Sequence, residues 1–339
     1  MPVGGISKLQ AIMADPNKWL GLLRWSMQQQ DGTHPTEFKA MDPKDKLWLE
    51  KVMKECVIDE VERMYQIIRV WAGEDPRDVL PKLIADPPAN PYTPEEIEDY
   101  KEALLDEMLT RIDQIDNAQT FIKIGGLASV LHLFDSPRAS IRSGAAEVFA
   151  TCAQNNPPVQ KAGLDGHMLE ALSKLAQEDV DTTVRVKAIL GISCMIRGLD
   201  KTAEQWFVQK CDGLRILQAC IQTGDLRLQR KALFLLRYLA NASATNAQQL
   251  LDQGVYITAC SSFIGKDDVD LNESSLQALA EFAALGPAFK AACKQANLVQ
   301  LVQARVAAID ALTSDEDREF AQEEKSFAAL LLETLDVLE

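Results

Sequence analysis

The sequence holds little of what catalysis and metal binding draw on. Its 339 residues include three histidines, and the HExxH, GxSxG and GxxxxGK[ST] patterns are absent. His132 falls inside the apolar run Val130 to Phe134, His34 lies in a loop stretch, and His167 adjoins a helix turn. Isolated imidazoles of this kind are structural far more often than catalytic. Gly125-Gly126 sits between helical patterns rather than between a strand and a helix, so it does not read as a phosphate cradle. The seven cysteines (Cys56, Cys152, Cys194, Cys211, Cys220, Cys260 and Cys293) are dispersed without a CxxC pair, which argues against a zinc or redox motif. Cys56, Cys152, Cys194 and Cys220 lie in apolar helical runs, where a thiol acts as a small hydrophobe, and a reducing compartment is expected. Basic charge is also short: 35 Lys and Arg face 50 Asp and Glu, a net charge of −15. That balance repels phosphate backbones and disfavours nucleic acid as a partner. It suits a soluble monomer that meets a partner bearing basic patches. No apolar run reaches membrane-spanning length. The start, MPVGGISKLQAIMADP, has no secretory n- and h-region, and the last four residues are not an ER-retention signal. The expected location is the cytosol, with the nucleus as a second possibility.

Aromatic residues make up only 6% of a chain that is 47% hydrophobic, and Ala, Leu and Gln are abundant, a mixture that favours closely packed helices over sheets. Residues 1–35 form a short amphipathic unit. A helix is expected over 42–71, capped by Asp42 with Pro43 in its first turn. Six prolines between 73 and 94 exclude a regular element there. Thr93 and Glu96 then form a capping box, opening a helix that runs towards Gly125-Gly126.

Beyond this point the chain repeats itself. Ile141-Arg142-Ser143-Gly144-Ala145, Val184-Arg185-Val186-Lys187-Ala188, Leu228-Gln229-Arg230-Lys231-Ala232 and Leu271-Asn272-Glu273-Ser274-Ser275 each place a small residue four positions after an apolar one. The small residues stand 43, 44 and 43 positions apart, and apolar residues continue at i+7, i+8 and i+11, one face of a helix. Gly126, Gly166, Gly213 and Gly254 precede the copies, and Asn297 opens a fifth, imperfect one. Each glycine is expected at a helix–helix turn that needs a positive φ or a close backbone approach. A period of about 40–47 residues is the armadillo/HEAT signature. The chain is therefore expected to be all-α, an armadillo-type right-handed superhelical solenoid of about four repeats with helical caps. The expected segments are 1–35, a helical cap at 36–115 containing the Pro-rich connector, repeats over 116–298, and a partial repeat with a capping helix from Ser314 to about Leu338 within 299–339.

In armadillo repeats the third helix of each unit lines a concave groove. The outward positions, two and six residues past the small one, are Glu147 and Thr151, Leu190 and Cys194, Phe234 and Tyr238, Gln277 and Glu281. Import receptors of this fold carry Trp and Asn there to hold an extended peptide. Neither occurs here, so the groove is expected to fit a folded surface. Lys187, Arg197 and Lys231 add cations in the middle, between acidic ends at Glu147 and Glu281. The plainer alternative is that individual residues of this set are simply solvent-exposed.

Three stretches resemble the Fes and Hsp-70-binding-protein family of armadillo-type nucleotide exchange factors for cytosolic Hsp-70 chaperones. They are Leu22-Leu23-Arg24-Trp25-Ser26, Asp116-Asn117-Ala118, and Asp181 to Ala188 with Ile192-Ser193-Cys194 and Ile196-Arg197. Tyr238 departs from the smaller or polar residue expected at its position. The resemblance implies a non-enzymatic co-chaperone that binds no cofactor and grips the ATPase domain of an Hsp-70 to promote ADP release. Leu190, Phe234, Tyr238, Lys187, Arg197 and Lys231 would lie at the centre of that grip, with Cys194, Gln277, Glu147 and Glu281 around them. It also implies a client-release role for the segment holding Trp19, Leu22, Leu23, Arg24, Trp25 and Ser26, whose alternative is a docked amphipathic helix. A generic armadillo scaffold joining two other proteins is the rival reading.

Overall fold

The computed structural model describes residues 43–44, 46–47, 59–80, 90–198, 201–266 and 268–337, and their regular structure is helical throughout. The chain divides into two compact units, 1–136 and 137–339.

In the first unit, α1 spans Glu60–Trp71. It is not continuous from residue 42. Asp59 leaves the helical region (φ −70°, ψ 101°), and its carboxylate accepts the Glu62 amide at 3.0 Å, starting a new helix. A single turn, α2 (Pro76–Val79), forms inside the Pro-rich connector where no helix was expected. Pro76 occupies the first turn, where a missing N–H costs nothing, behind the cap Asp75. The expected capping box opens α3 (Pro94–Arg111): Glu96 N donates to Thr93 Oγ1 at 3.3 Å, and Thr93 N to the Glu96 carboxylate at 2.8 Å. The helix stops at Arg111 instead of reaching Gly125. Asn117 Nδ2 donates to the Arg111 carbonyl at 2.9 Å, and the chain restarts as α4 (Ile115–Lys123) and α5 (Gly126–Leu133). Trp71 anchors this unit. It is fully buried, donates from Nε1 to the Lys101 carbonyl at 3.2 Å and meets Phe121 edge-on at 6.3 Å.

The second unit opens with a long helix, α6 (Ala139–Ala153). Three sets of two short helices and a long one follow: α7 (Pro157–Asp165), α8 (Met168–Glu178) and α9 (Thr182–Ile196); α10 (Thr202–Lys210), α11 (Gly213–Ile221) and α12 (Leu226–Ala242); α13 (Ala244–Gln253), α14 (Val255–Ser261) and α15 (Val269–Ala284). The fifth copy consists of α16 (Pro287–Gln295) and α17 (Leu298–Asp310). The long helices stack in series, α6 on α9, α9 on α12 and α12 on α15. Ala145, Ala188, Ala232 and Ser275 are all fully buried, as the need for a point of closest approach dictates.

The expected terminal helix is broken in two. Ser314 caps α18 (Asp315–Phe320), and α19 (Gln322–Thr334) packs on α15 and α17. Buried Ala328, Leu331, Leu332 and Leu335 close the end of the stack, and Arg305 pairs at 2.6 Å with the buried Glu324.

The turns between the short helices do contain a left-handed residue, but not always the glycine. It is Gly125, His167 (φ 61°), Asp212 (φ 56°), Gly254 (φ 65°) and Asn297 (φ 58°). Gly213 serves the other expected purpose, close approach, since a Cβ there would lie 2.5 Å from the Phe207 ring. Gly166 has φ −95° and takes no part in the left-handed turn.

Two further residues recur in register. Seven positions before the small residue, Asp181, Asp225 and Asp268 cap α9, α12 and α15, each carboxylate accepting a first-turn amide. In the first copy that place is Arg138, which makes no side-chain cap. Three positions before the small residue, a polar side chain ties α9, α12 and α15 each to a backbone carbonyl ahead of it. Arg185 Nε donates to the Ala176 carbonyl at 2.8 Å, Gln229 Nε2 to that of Ile221 at 3.0 Å, and Asn272 Nδ2 to that of Lys266 at 2.6 Å. Arg142 instead bridges to Asp179 at 2.7 Å, a carboxylate in the next copy.

The Leu228 amide holds the Asp225 carboxyl below the usual range. Burial pulls the Asp268 carboxyl up, but Arg230 and the Leu271 amide more than offset it, so it too is low. Carboxyls depressed by folding stabilise fully above the unfolded aspartate value of about 3.9 and lose that contribution as pH falls through the lower folded values. Thermal melts should therefore give a Tm that is level near neutrality and drops below about pH 4. Asp225→Asn together with Asp268→Asn should make that drop shallower, because asparagine still caps without titrating.

Candidate functional site

The outward face of the four long helices carries the expected groove residues, and side-chain interactions cross each junction between neighbouring helices. From α6 to α9, Lys187 Nζ meets the Glu147 carboxylate at 2.6 Å. Between the end of α9 and α12, the Arg197 guanidinium lies over the Phe234 ring at 4.8 Å and 6.0 Å from the Tyr238 ring. From α12 to α15, Arg237 chelates the Glu281 carboxylate at 2.5 and 2.7 Å and donates to Gln277 Oε1 at 2.9 Å. Asn241 adds a fourth bond, to Glu281, at 2.7 Å.

This arrangement corrects the expected charge pattern. The groove does not end in free acid, because Glu147 is joined to Lys187 and Glu281 to Arg237 and Asn241. Lys187 is likewise paired within the protein. What stays open is the middle. Ile189, Leu190, Ser193 and Arg197 on one side and Arg230, Lys231 and Phe234 on the other surround a hollow of about 270 Å³. Arg230 is spoken for by Asp268 and Asp270, at 2.6 and 2.8 Å. Among the described residues, Lys231 makes no ion pair or hydrogen bond, and Arg197 meets only aromatic rings. Phe234 is 49% exposed at the rim.

Cys194 lies beside these cations. Burial pushes its thiol pKa up, outweighing the opposite pull of Arg197 and Lys231, so the groove presents no thiolate. Thr151 is half-buried on α6, outside the hollow. Elsewhere burial holds the Cys152 thiol at about 12 and that of Cys293 at about 11. Groups of histidine, cysteine and carboxylate able to hold a metal do not occur among the described residues. None of the described helices is long and apolar enough to cross a membrane. Trp19, Leu22, Leu23, Arg24, Trp25 and Ser26 lie outside the described residues.

The sequence reading missed Arg237, whose position five past Ala232 belongs to neither outward register, and a network below Tyr238. Glu204, 4% exposed on α10, accepts from Lys201 at 2.9 Å, Tyr238 at 3.2 Å and Asn246 at 3.3 Å. Tyr238 also receives a bond from Lys201 at 3.1 Å and stands 3.3 Å from the Ile196 carbonyl, to which it can donate. The tyrosine that departs from the expected small or polar residue is thus the bolt between α12 and α10. Sequence gave one signal: an acid, Glu204, inside the apolar pattern of a helix.

Stacked three-helix units with a polar-bolted groove define an armadillo-type repeat protein. A computationally designed armadillo repeat protein superimposes with a TM-score of 0.60 at 15% identity, over 80% of this chain and 99% of its own. Residues 117–255 match the SIL1/FES1/HPBP1 C-terminal domain. Mouse Hsp70-binding protein 1 is 25% identical over 94% of this chain and 86% of its own length. The Hsp70 nucleotide exchange factor FES1 of Mycosarcoma maydis is 33% identical over 40% of this chain and 34% of its own, and rat nucleotide exchange factor SIL1 is 24% identical over 38% and 27%. The matched domain contains α6, α9 and α12 and the entire hollow.

Glu204→Ala should destabilise the protein by about 1–3 kcal/mol in urea titration, because it removes the buried acceptor that Lys201, Tyr238 and Asn246 share. Glu204→Gln, which keeps an acceptor oxygen, should cost less.

Proposed function

We propose that this protein is a co-chaperone that binds the ATPase domain of a cytosolic Hsp-70 and accelerates release of ADP. The observation that carries this reading is its similarity, over 94% of the chain, to Hsp70-binding protein 1, joined by local similarity to two proteins named as nucleotide exchange factors. The groove supports it from the physical side. It offers an apolar hollow with two uncommitted cations and, beside it, one thiol whose pKa burial raises, features suited to holding a protein surface rather than to bond chemistry. The protein itself is proposed to turn over no substrate and to act in the cytosol.

The ATPase domain of a chaperone holds ADP between two lobes, and both contribute to its affinity. A helical stack that fits one lobe only when the other is displaced would remove part of that affinity. A hundred- to thousandfold effect corresponds to roughly 3–4 kcal/mol, which is within what a protein interface of standard size can supply. Linkage imposes the converse: ADP weakens the grip of the exchange factor on the chaperone by the same factor. Residues 1–35, with their Leu22-Leu23-Arg24-Trp25-Ser26 run, are proposed to occupy the client cleft of the chaperone and keep released client from returning. The scaffold alternative has no comparable observation in its favour.

Stopped-flow release of a fluorescent ADP analogue from a cytosolic Hsp-70 tests the reading. Release should accelerate at least tenfold with this protein present, and a chain lacking residues 1–35 should still accelerate it while losing the effect on client rebinding. Unchanged release across several Hsp-70 paralogues would move the assignment to the scaffold.

A further inference from the structure

The protein carries an excess of fifteen negative charges, yet among the described residues two cations of the groove have no carboxylate partner. Along the groove nearly every charge has found its opposite. Lys187 has Glu147, Arg237 has Glu281, and Arg230 has Asp268 and Asp270. Lys231 and Arg197 are the exceptions, and both line the same hollow, 270 Å³ in volume. The Arg197 guanidinium lies over the Phe234 ring at 4.8 Å and 6.0 Å from the Tyr238 ring, both on α12. Its N–H groups therefore keep their donor capacity, while stacking reduces the conformational freedom that a partner would otherwise have to remove. Tyr238 is fixed in turn by Glu204 and Lys201. The floor and walls between the cations are apolar, from Ile189, Leu190 and Phe234.

We infer that this hollow receives a carboxylate side chain of the partner together with an adjoining apolar side chain. Arg197 and Lys231 take the carboxylate, and Leu190 with Phe234 takes the apolar group. The inference rests on the exchange-factor reading and specifies its contact: an Asp or Glu on the surface of the Hsp-70 ATPase domain, next to an aliphatic or aromatic residue. Three features favour this occupant. The volume falls below the roughly 300–1,000 Å³ of clefts that enclose whole small molecules, and it is open at the rim, so side chains of a docked surface fit it better than a free ligand. Two cations with no carboxylate between them create a local field opposite in sign to the net charge, which attracts an acid and disfavours a basic one. Finally, an Arg–carboxylate bond formed against an apolar wall is charge-assisted and shielded from water, which makes it stronger than its exposed counterpart. The acidic flanks, Glu147 and Glu281, are already neutralised and so do not oppose the approach of a partner acid at the centre.

The overall charge of the protein suggested a partner with basic patches; at this point of the groove the complement is acidic. Long-range attraction to a basic patch and a single acidic anchor are compatible, because screening at physiological salt confines each field to about 8 Å.

The test is a binding titration of the fluorescently labelled ATPase domain of a cytosolic Hsp-70, read by anisotropy at low and high salt, with the full chain. Arg197→Glu combined with Lys231→Glu should weaken binding about thirtyfold or more. It should also flatten the salt dependence seen with the unmodified protein, without altering its circular dichroism spectrum. Arg197→Lys, which keeps the charge but loses the flat stacking surface, should lose less, and Phe234→Ala should weaken binding while preserving the salt dependence. A scan of Asp→Lys and Glu→Lys substitutions over the ATPase domain should find one position that restores affinity to the doubly reversed variant and not to the unmodified chain. Unaltered binding of the double variant, or weakened binding with an unchanged salt slope, would overturn the inference while leaving the exchange-factor reading intact. An unmodified chain that neither binds the domain nor speeds ADP release would overturn both.

Discussion

Everything in the repeat unit depends on how closely the long helices can approach one another. Ala145, Ala188, Ala232 and Ser275 sit where each helix meets its neighbours, without exposed surface. A side chain of any length there would push the stack apart and strand the apolar face that no single copy can bury alone. The close approach also fixes what happens on the groove side. The residues bridging one copy to the next are 37 to 44 positions apart: Lys187 with Glu147, Arg197 with Phe234, Arg237 with Glu281. These bridges reach because the backbones are near. Packing therefore sets the geometry, and the polar contacts lock it at each junction.

The repeat was legible because it is written in residue types that tolerate little substitution: the small residue, the apolar positions one face apart, and the turn. The turn shows where such reading stops. Glycine marks the place in four copies, yet the left-handed conformation falls on His167 and Asp212 in two of them. Histidine and aspartate can adopt it at modest cost, while Gly213 is needed for the space it leaves to the Phe207 ring. Glycine in a sequence does not say which of these two needs it answers. Helix ends were harder still. The breaks at Asp59, Arg111 and Ala321 each fall inside an unbroken amphipathic pattern. At Asp59 a capping carboxylate marks the break, and at Arg111 the bond from Asn117 to its carbonyl, which periodicity cannot register; at Ala321 no side chain caps the helix that restarts.

In the groove, the residues that would face outward were found by counting from the small residue, but their charges could not be interpreted that way. Sequence showed an acid at each end and cations between. Only the fold shows that Lys187 is consumed by Glu147 and that Arg237, outside the counted register, consumes Glu281. The polar residue three places before each small one was equally visible and equally unread. Arg185, Gln229 and Asn272 differ in charge and length, and they share only the task of reaching a backbone carbonyl ahead of their own helix. A function carried out by different chemistry in each copy leaves no motif.

Stiffness is what makes these bolts matter to the proposed activity. A binding protein shifts a conformational equilibrium only by the difference between its affinities for the two states. A solenoid able to flex would follow either arrangement of the chaperone lobes, bind both and exchange nothing, however tightly it held. Bending such a stack requires neighbouring long helices to slide or hinge, and each junction is spanned on its open face by an ion pair or a stacked guanidinium, and on its inner side by close-packed small residues. The Glu204–Tyr238–Lys201–Asn246 network extends that restraint to the short helices beneath the hollow. On the proposed reading, affinity and discrimination reside in different parts of the molecule: the hollow is assigned the hold, and the junctions on either side of it the resistance to the adjustment that would let the hold be satisfied in both states.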